Sequence, residues 1–205
     1  GLAAVRAFAD AGVGVAVGHS NADYEQALAA FDAGASILTH AFNAMNGIHH
    51  RAPGLVVAAM HAPHVTLEVI GDGVHVHPDV VRLAFRGAPG RVALITDAMG
   101  AAGAADGEYL LGSLAVTVRD GVARLKPDGA IAGSTLTQDV ALRRAVVDSG
   151  IPLVEAVRAL TVVPARAIRR DADLGRLDPG FAADAVLLSD DFEVEAVWSA
   201  GRRLR

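Results

Sequence analysis

Apolar and polar positions follow two different periods along the first half of the chain. Short runs rich in Val, Ile and Leu predict strands at residues 13–17, 36–39, 65–70 and 91–96. Longer stretches with helical spacing of apolar residues predict helices over residues 2–11, 23–33, 54–61 and 78–86. The first half is therefore predicted to alternate strand and helix throughout.

Turn-forming residues mark the ends of these elements. Gly34 is expected to end the second helix, and Ser20 or Asn21 to cap its beginning. Pro53 and Pro78 stand where the next two helices are predicted to begin. A strand–loop–helix unit repeated about every 20 to 30 residues is typical of a parallel sheet. Such a sheet either closes into a barrel or stays open and doubly wound, and four units correspond to half of a (β/α)8 barrel.

The pattern changes after residue 97. Residues 100–112 are predicted to form a loop of small residues, and 114–118 with 122–125 a hairpin around Asp120-Gly121. Helices are predicted from about 133 to 149, at 153–160 and at 164–169. Short strands follow at 185–188, at 193–198 and after Gly201. We expect these last strands to lack partners within the C-terminal region and to belong to a small sheet completed elsewhere.

Composition narrows the class of protein. Hydrophobic residues make up 52% of the 205 positions and aromatic residues only 4%, which favours tight helix-on-sheet packing by small side chains. The net charge is −5 without a basic run, so neither nucleic acid nor a membrane surface is an expected partner. Cysteine is absent, which excludes disulfides and thiolate metal sites. With no membrane-spanning segment or signal peptide recognisable, the expected location is the cytoplasm.

Polar side chains recur at one place in the predicted units. His19, His40, His75 and Asp97 each lie at the carboxyl end of a strand or shortly beyond it. In a parallel barrel these positions converge on the face that carries active sites. Taken singly, each histidine is more often a hydrogen-bonded loop residue than a ligand, and Asp97 could serve as a helix cap or turn former. The repetition over four units favours a metal site.

The types of residue at these positions indicate hydrolysis. Two neutral imidazoles on neighbouring strands can hold a divalent metal, with zinc expected and iron or another divalent ion as the alternative. The carboxylate of Asp97 can take a proton from water and return it to a leaving nitrogen. A third ligand is usually a carboxylate, and none stands at a matching strand end before His19. We therefore expect further barrel strands upstream of Gly1.

Several segments resemble those of N-acetylglucosamine-6-phosphate deacetylases, in the same order and spacing. The segments are Gly18-His19-Ser20-Asn21-Ala22, Thr39-His40-Ala41-Phe42-Asn43-Ala44-Met45, Arg51-Ala52-Pro53-Gly54, Gly71-Asp72-Gly73-Val74-His75, Thr96-Asp97-Ala98 and Ala132-Gly133-Ser134-Thr135-Leu136-Thr137. The tail from Gly175 to Val186 resembles the closing segment of metal-dependent amidohydrolases. The asparagine-rich loop with Arg51 and the Gly-Asp-Gly-Val-His loop narrow the resemblance to the deacetylases.

The resemblance implies roles for individual residues. His19 and His40 match the two histidine ligands of the catalytic metal, and Asp97 matches the general base and acid. The substrate-binding residues of the family match Asn43, Ala44, Arg51 and His75. In the family the arginine reaches the site of the neighbouring subunit and binds the sugar phosphate, which implies a homodimer. The family's glutamate ligand and an upstream histidine that polarises the acetyl group have no counterpart in this chain.

Together these observations predict an α/β fold: the later half of a metal-dependent (β/α)8 TIM-type barrel at residues 1–170, and the C-terminal part of a small β-sandwich at 171–205. The implied reaction converts N-acetylglucosamine 6-phosphate to glucosamine 6-phosphate and acetate, in amino-sugar catabolism and cell-wall recycling, and we expect the 205 residues alone to be inactive. The alternatives are another amidohydrolase, such as a cyclic amide hydrolase or a deaminase, and a non-catalytic remnant or split fragment.

Overall fold

A parallel four-stranded sheet in the order β1-β2-β3-β4 forms the centre of the first half. The computed structural model describes residues 1–205. The strands of this sheet are β1 (Ala16–Val17), β2 (Ile37–Leu38), β3 (Thr66–Ile70) and β4 (Val92–Ile95). They alternate with the helices α1 (Leu2–Asp10), α2 (Tyr24–Asp32), α3 (Gly54–His61) and α4 (Pro78–Gly87). The alternation and the parallel pairing predicted from the sequence are confirmed, and every strand is shorter than predicted.

Side-chain and proline caps fix where the helices begin. Asp23, and neither Ser20 nor Asn21 as predicted, caps α2: its carboxylate accepts from the Gln26 backbone N–H at 2.8 Å, and the Gln26 side chain accepts from the Asp23 N–H. This reciprocal pair satisfies two backbone donors that the helix itself cannot satisfy. Pro78 begins α4 as predicted. The helix α3 spans Gly54–His61 as predicted, with Pro53 at the position that precedes it.

The main core lies between one face of this sheet and the helices that cover it. Alternate residues of β3 and β4, namely Leu67, Val69, Val92 and Leu94, belong to one buried cluster that also contains Phe31 of α2. Burial of each such side chain contributes about 1.5–3 kcal/mol. The strand residues between them point to the other face, so the charged side chain within β3 lies away from this core.

Arg91 ties the end of α3 to the start of β4. Its Nη1 donates to the carbonyl oxygens of Ala59 at 3.1 Å, Ala62 at 3.0 Å and Val65 at 2.5 Å, and its Nη2 donates to that of Met60 at 2.7 Å. The last carbonyls of a helix have no partner within the helix. Burial lowers the pKa of the Arg91 guanidinium from its ordinary value. One side chain thus satisfies four carbonyls around the α3–β3 connection.

A second, antiparallel sheet follows β4 and contains a strand that the sequence analysis missed. Its members are β5 (Gly107–Leu111), β6 (Leu114–Arg119) and β7 (Val122–Leu125). The predicted hairpin is present, with φ of 52° at Asp120 and 72° at Gly121. The strand β5 lies within residues 100–112, which were predicted to form a loop of small residues. Its pairing with β6, whose Val116 and Val118 are buried, defines it as a strand.

The remaining elements are three helices and a small C-terminal sheet. The helices α5 (Gln138–Val147), α6 (Leu153–Leu160) and α7 (Val162–Ala167) precede the strands β8 (Ala185–Leu188), β9 (Val194–Ser199) and β10 (Arg202–Arg203). These strands pair with one another in the order β10-β9-β8. The expectation that they lack partners in their own region is therefore wrong. None of the helices has the length and apolarity required to cross a lipid bilayer.

Candidate active site

Three candidate residues occupy the same position relative to their strands. His19 after β1, His40 after β2 and Asp97 after β4 are each the second residue beyond the strand end. All three have a left-handed backbone, with φ of 44°, 29° and 50° respectively. A non-glycine residue with a left-handed backbone costs about 1–3 kcal/mol of strain, and such residues concentrate at functional sites. Because the strands are parallel, the three turns lie at one edge of the sheet.

The two histidines meet directly. The Nε2 atoms of His19 and His40 are 2.8 Å apart, and their rings lie edge to face with centroids 4.6 Å apart. His40 is 6% exposed, whereas His19 is exposed to solvent. Parallel pairing of β1 with β2 sets this contact, because it places Val17 level with Leu38 and so the two histidines level with each other.

The histidine pair fits a shared divalent ion. Two nitrogens bound to one tetrahedral zinc at about 2.0–2.1 Å lie roughly 3.3 Å apart, so an opening of about 0.5 Å would admit the ion. No cluster of three or more His, Cys, Asp or Glu side chains with metal-site geometry exists in the structure. The buried Nδ1 of His40 has no hydrogen-bond partner. These 205 residues therefore offer two nitrogen ligands, without a third ligand or a partner for His40 Nδ1.

Ser134 holds the turn that carries Asp97. The Ser134 N–H donates to the carbonyl oxygen of Asp97 at 2.8 Å, and the Ser134 carbonyl accepts from the Met99 N–H at 2.9 Å. Its hydroxyl donates to the Thr96 carbonyl and accepts from the Leu136 N–H. Ser134 is 3% exposed. No role was predicted for Ser134. In the structure three of its hydrogen bonds, to Thr96, Asp97 and Met99, hold the strained backbone around Asp97.

Replacement of Ser134 by Ala is expected to destabilise the fold by about 1–3 kcal/mol, because the Leu136 N–H and the Thr96 carbonyl lose a buried partner. Chemical denaturation of wild type and variant measures this difference. Thr135→Val is the neighbouring control, since the exposed Thr135 hydroxyl bonds only to the carbonyl of Gly121. Equal unfolding midpoints for Ser134→Ala and wild type would contradict the expectation.

Glu68 is a second carboxylate near the histidines that the sequence analysis missed. It lies in the middle of β3, and its backbone carbonyl accepts from the Ala41 N–H at 2.7 Å. Burial raises the pKa of the Glu68 carboxyl above its ordinary value; the backbone N–H and the charge of His40 offset this in part, and Asp97 adds to it. A charged residue inside an otherwise apolar strand was the available signal. Because β3 lies between β2 and β4, Glu68 lies on the strand between those that precede His40 and Asp97.

His75 is held by Asp72 at the end of β3. Its Nδ1 lies 2.6 Å from Oδ2 of Asp72, and the two side chains are only 8% and 12% exposed. Burial alone raises the pKa of Asp72, but hydrogen bonds from the ring and backbone of His75 and from Val74 outweigh it, so the pKa lies below its ordinary value. Asp72 was part of a matched motif but had no predicted role.

The loop after His40 carries the other candidate residues. The Asn43 amide donates to the carbonyl oxygens of His40 at 3.3 Å and Ala41 at 3.2 Å. Ala44 has a left-handed backbone with φ of 51°. Arg51 is exposed, and its guanidinium contacts only the ring of His50, with 2.6 Å between Nη1 and Nε2. The structure thus places Asn43 against His40, whereas Arg51 makes no hydrogen bond to either histidine of the pair.

Residues 2–204 match the model of the amidohydrolase family. The chain belongs to the amidohydrolase family. An N-acetylgalactosamine-6-phosphate deacetylase of Escherichia coli O157:H7 is 43% identical over 98% of this amidohydrolase chain and 53% of its own length. A putative N-acetylgalactosamine-6-phosphate deacetylase of Escherichia coli K12 is 42% identical over 80% of this chain and 97% of its own length.

Solved structures show the same fold. A mutant of N-acetyl-D-glucosamine-6-phosphate deacetylase from Mycobacterium smegmatis, in complex with N-acetyl-D-glucosamine-6-phosphate, superposes with a TM-score of 0.94 at 46% identity. The match covers 98% of this chain and 54% of that one. The chain spans about half the length of most of the curated relatives it matches. The family is metal-dependent, which agrees with the ligand chemistry of the histidine pair.

Proposed function

We propose that these residues form the C-terminal part of a (β/α)8 amidohydrolase, with the four parallel strands as the later half of its barrel. Residues 1–170 would belong to the barrel and 171–205 to a small β-sandwich. Support comes from the sheet order β1-β2-β3-β4 and from the site, which has two ligands where a metal needs at least one more. We call the chain together with the preceding segment that this proposal requires the extended protein.

The proposed activity is hydrolysis of the acetamide of N-acetylglucosamine 6-phosphate to glucosamine 6-phosphate and acetate. The observation that carries it is the 2.8 Å approach of Nε2 of His19 to Nε2 of His40, which would hold a divalent ion. Such an ion, when bound, acidifies water and polarises a carbonyl. Asp97, on its strained turn at the same sheet edge, takes the proton of the attacking water. The same carboxyl then returns that proton to the leaving amine.

Arg51 is the proposed phosphate ligand. Its guanidinium is exposed on a loop and makes no ion pair, so it is free to bind an anion with two parallel hydrogen bonds. Because it makes no hydrogen bond to the histidine pair of its own chain, we propose that it binds the substrate of a second subunit in a cytoplasmic homodimer. Asn43 and Ala44, beside His40, would line the same substrate site.

The test of the function is acetate release by the extended protein with and without zinc. N-Acetylglucosamine 6-phosphate is the substrate, N-acetylglucosamine the control, and N-acetylgalactosamine 6-phosphate the competing candidate, since the relatives carry both names. Metal-dependent release from the phosphorylated sugars alone is the expected result. Bound metal without release from any sugar would favour a cyclic amide hydrolase or a deaminase. If the 205 residues alone are monodisperse and melt cooperatively without metal, that result would favour the remnant.

Replacement of Arg51 by Ala in the extended protein is expected to raise KM for the phosphorylated sugar about 10- to 100-fold with little change in kcat. The reason is that the guanidinium contacts a part of the substrate that does not react, so it binds substrate and transition state equally. Steady-state kinetics measure both constants. Arg202→Ala, which also removes an exposed arginine, is the control. An unchanged preference for phosphorylated over unphosphorylated sugar would rule out Arg51 as the phosphate ligand.

A further inference from the structure

Asp72 occupies on β3 the position that His19, His40 and Asp97 occupy on the other strands. It is the second residue after the end of β3. The strands β3 and β4 pair in register up to their last residues, so Asp72 and Asp97 lie at the same level beyond them. All four parallel strands therefore carry an ionisable side chain at the same edge of the sheet.

The carboxylate of Asp72 binds both the backbone and the ring of His75. Its Oδ1 accepts from the N–H of Val74 at 2.9 Å and of His75 at 2.7 Å, and its Oδ2 accepts from His75 Nδ1 at 2.6 Å. The other ring nitrogen, Nε2, makes no hydrogen bond in the chain. Nε2 is also not among the buried unpaired side-chain atoms, so solvent reaches it. The ring is thus fixed at one nitrogen and accessible at the other.

We propose that Asp72 is a positioning residue: it keeps the proton of His75 on Nδ1, so that Nε2 accepts a hydrogen bond from a ring hydroxyl of the sugar. A neutral imidazole has one donor and one acceptor nitrogen, and the carboxylate of Asp72 can only accept. A sugar hydroxyl can donate to Nε2, whereas an ionised phosphate cannot. The inference rests on the proposed function, which supplies the phosphorylated amino sugar.

Asp72→Asn separates positioning of the ring from support of the turn. The amide oxygen of Asn can still accept from the two backbone N–H groups, so the turn is retained. Its NH2 group then faces Nδ1 and donates, which requires Nδ1 to accept and moves the proton to Nε2. The variant therefore converts Nε2 from acceptor to donor at nearly constant shape. Asp72→Ala removes both functions of the side chain.

The first readout is the tautomer of His75 in the extended protein. Long-range proton–nitrogen spectra of histidine-labelled protein, recorded where imidazole is neutral, locate the ring proton, and His75→Gln assigns the signal. The proton is expected on Nδ1 in wild type and on Nε2 in Asp72→Asn. A wild-type ring that carries its proton on Nε2 overturns the proposal, whatever the enzyme hydrolyses.

The second readout is the Kd for N-acetylglucosamine 6-phosphate, measured by calorimetry in an Asp97→Asn background, in which the expected loss of kcat slows turnover during the titration. Asp72→Asn is expected to raise Kd about 10-fold, comparable to the lower end of the range found when the outer hydrogen-bond partner of a metal-binding histidine is removed. In the Asp97→Asn background, the 3-deoxy or the 4-deoxy sugar should bind with a Kd raised by a similar factor. Adding Asp72→Asn should raise the Kd of that deoxy sugar little further, because removal of the hydroxyl and removal of its acceptor abolish the same contact. An unchanged Kd, or fully additive losses for both deoxy sugars, contradicts the proposal.

Failure of the proposed function gives a different result. If the sugar phosphate binds with this dependence on Asp72 but protein with Asp97 intact releases no acetate, the inference stands and the deacetylase activity does not. If acetate is released and Asp72→Asn leaves both Kd and the His75 tautomer unchanged, the activity stands and the inference is refuted. Protein that binds no phosphorylated amino sugar refutes both.

Discussion

Replacement of Asp97 by Asn in the extended protein is expected to lower kcat about 10²- to 10⁴-fold while the metal stays bound, the range that a general acid–base group contributes. The amide has nearly the shape of the carboxylate but cannot take a proton from water. The left-handed backbone at position 97 accommodates Asn as readily as Asp, so the turn with Ser134 should persist. Steady-state acetate release and metal content are the two measurements.

Two controls make the Asp97 result interpretable. Asp190→Asn removes an exposed carboxylate far along the chain and should leave kcat unchanged. Unfolding midpoints of Asp97→Asn and wild type should coincide, because the hydrogen bonds to Ser134 use backbone atoms of residue 97. A kcat within about threefold of wild type, well below the contribution of a general base, would remove Asp97 from the proton transfer.

Replacement of His40 by Ala is expected to abolish both metal binding and acetate release in the extended protein. Its imidazole supplies one of the two nitrogens that converge in this chain. Metal analysis measures the loss directly, and thermal melting measures it independently. Zinc at about 100 times its Kd should stabilise wild type by roughly 2.7 kcal/mol and His40→Ala by nothing.

His61→Ala is the matched histidine control. His61 lies on α3 with an exposed ring that contacts Tyr24, away from the sheet edge. Its zinc-dependent stabilisation and its metal content should equal those of wild type. Retention of one metal per subunit by His40→Ala would show that the histidine pair is not the ligand set.

Local sequence rules anticipated most of the parallel half of the fold. Gly34, Pro53 and Pro78 bracket the helices closely, and apolar runs located β3 and β4 within one residue at each end. The predictions were less accurate for features that depend on strand pairing or on the geometry of side chains. Asp23 caps α2 in place of the predicted Ser20 or Asn21. Its carboxylate accepts from the Gln26 N–H, and the Gln26 side chain accepts from the Asp23 N–H. The three-residue spacing of Asp23 and Gln26 is that of a capping box, a signal in the sequence that the prediction did not use.

The C-terminal strands show what periodicity leaves undetermined. Each run of apolar residues located a strand, but sequence does not specify which strand it pairs with. The strands β8 and β9 pair across a register shift between Leu187 and Leu188. Such an irregularity has no local signature in the residues concerned. The strand β5 was missed for the same reason, since its identity depends on β6.

For the site, the strand-end rule selected His19, His40 and Asp97 but not Asp72, which obeys it equally. His75 was predicted as a site residue, whereas Asp72, whose carboxylate holds the His75 ring, was not. Ser134 belongs to a segment that matches the family, yet the Thr96 carbonyl that accepts from its hydroxyl lies 38 residues away in sequence. Contacts over such separations follow from the tertiary fold and cannot be derived from local spacing.

The left-handed backbone at His19, His40 and Asp97 sets stability against activity in evolution. Glycine adopts that conformation without a steric penalty, so glycine at any of the three positions would relieve local strain while removing a side chain of the proposed site. A population selected in the laboratory for thermal resistance alone should therefore accumulate glycine at these three sites. A population selected for hydrolysis of the proposed substrate, N-acetylglucosamine 6-phosphate, should retain the strained residues and gain thermal resistance through substitutions elsewhere.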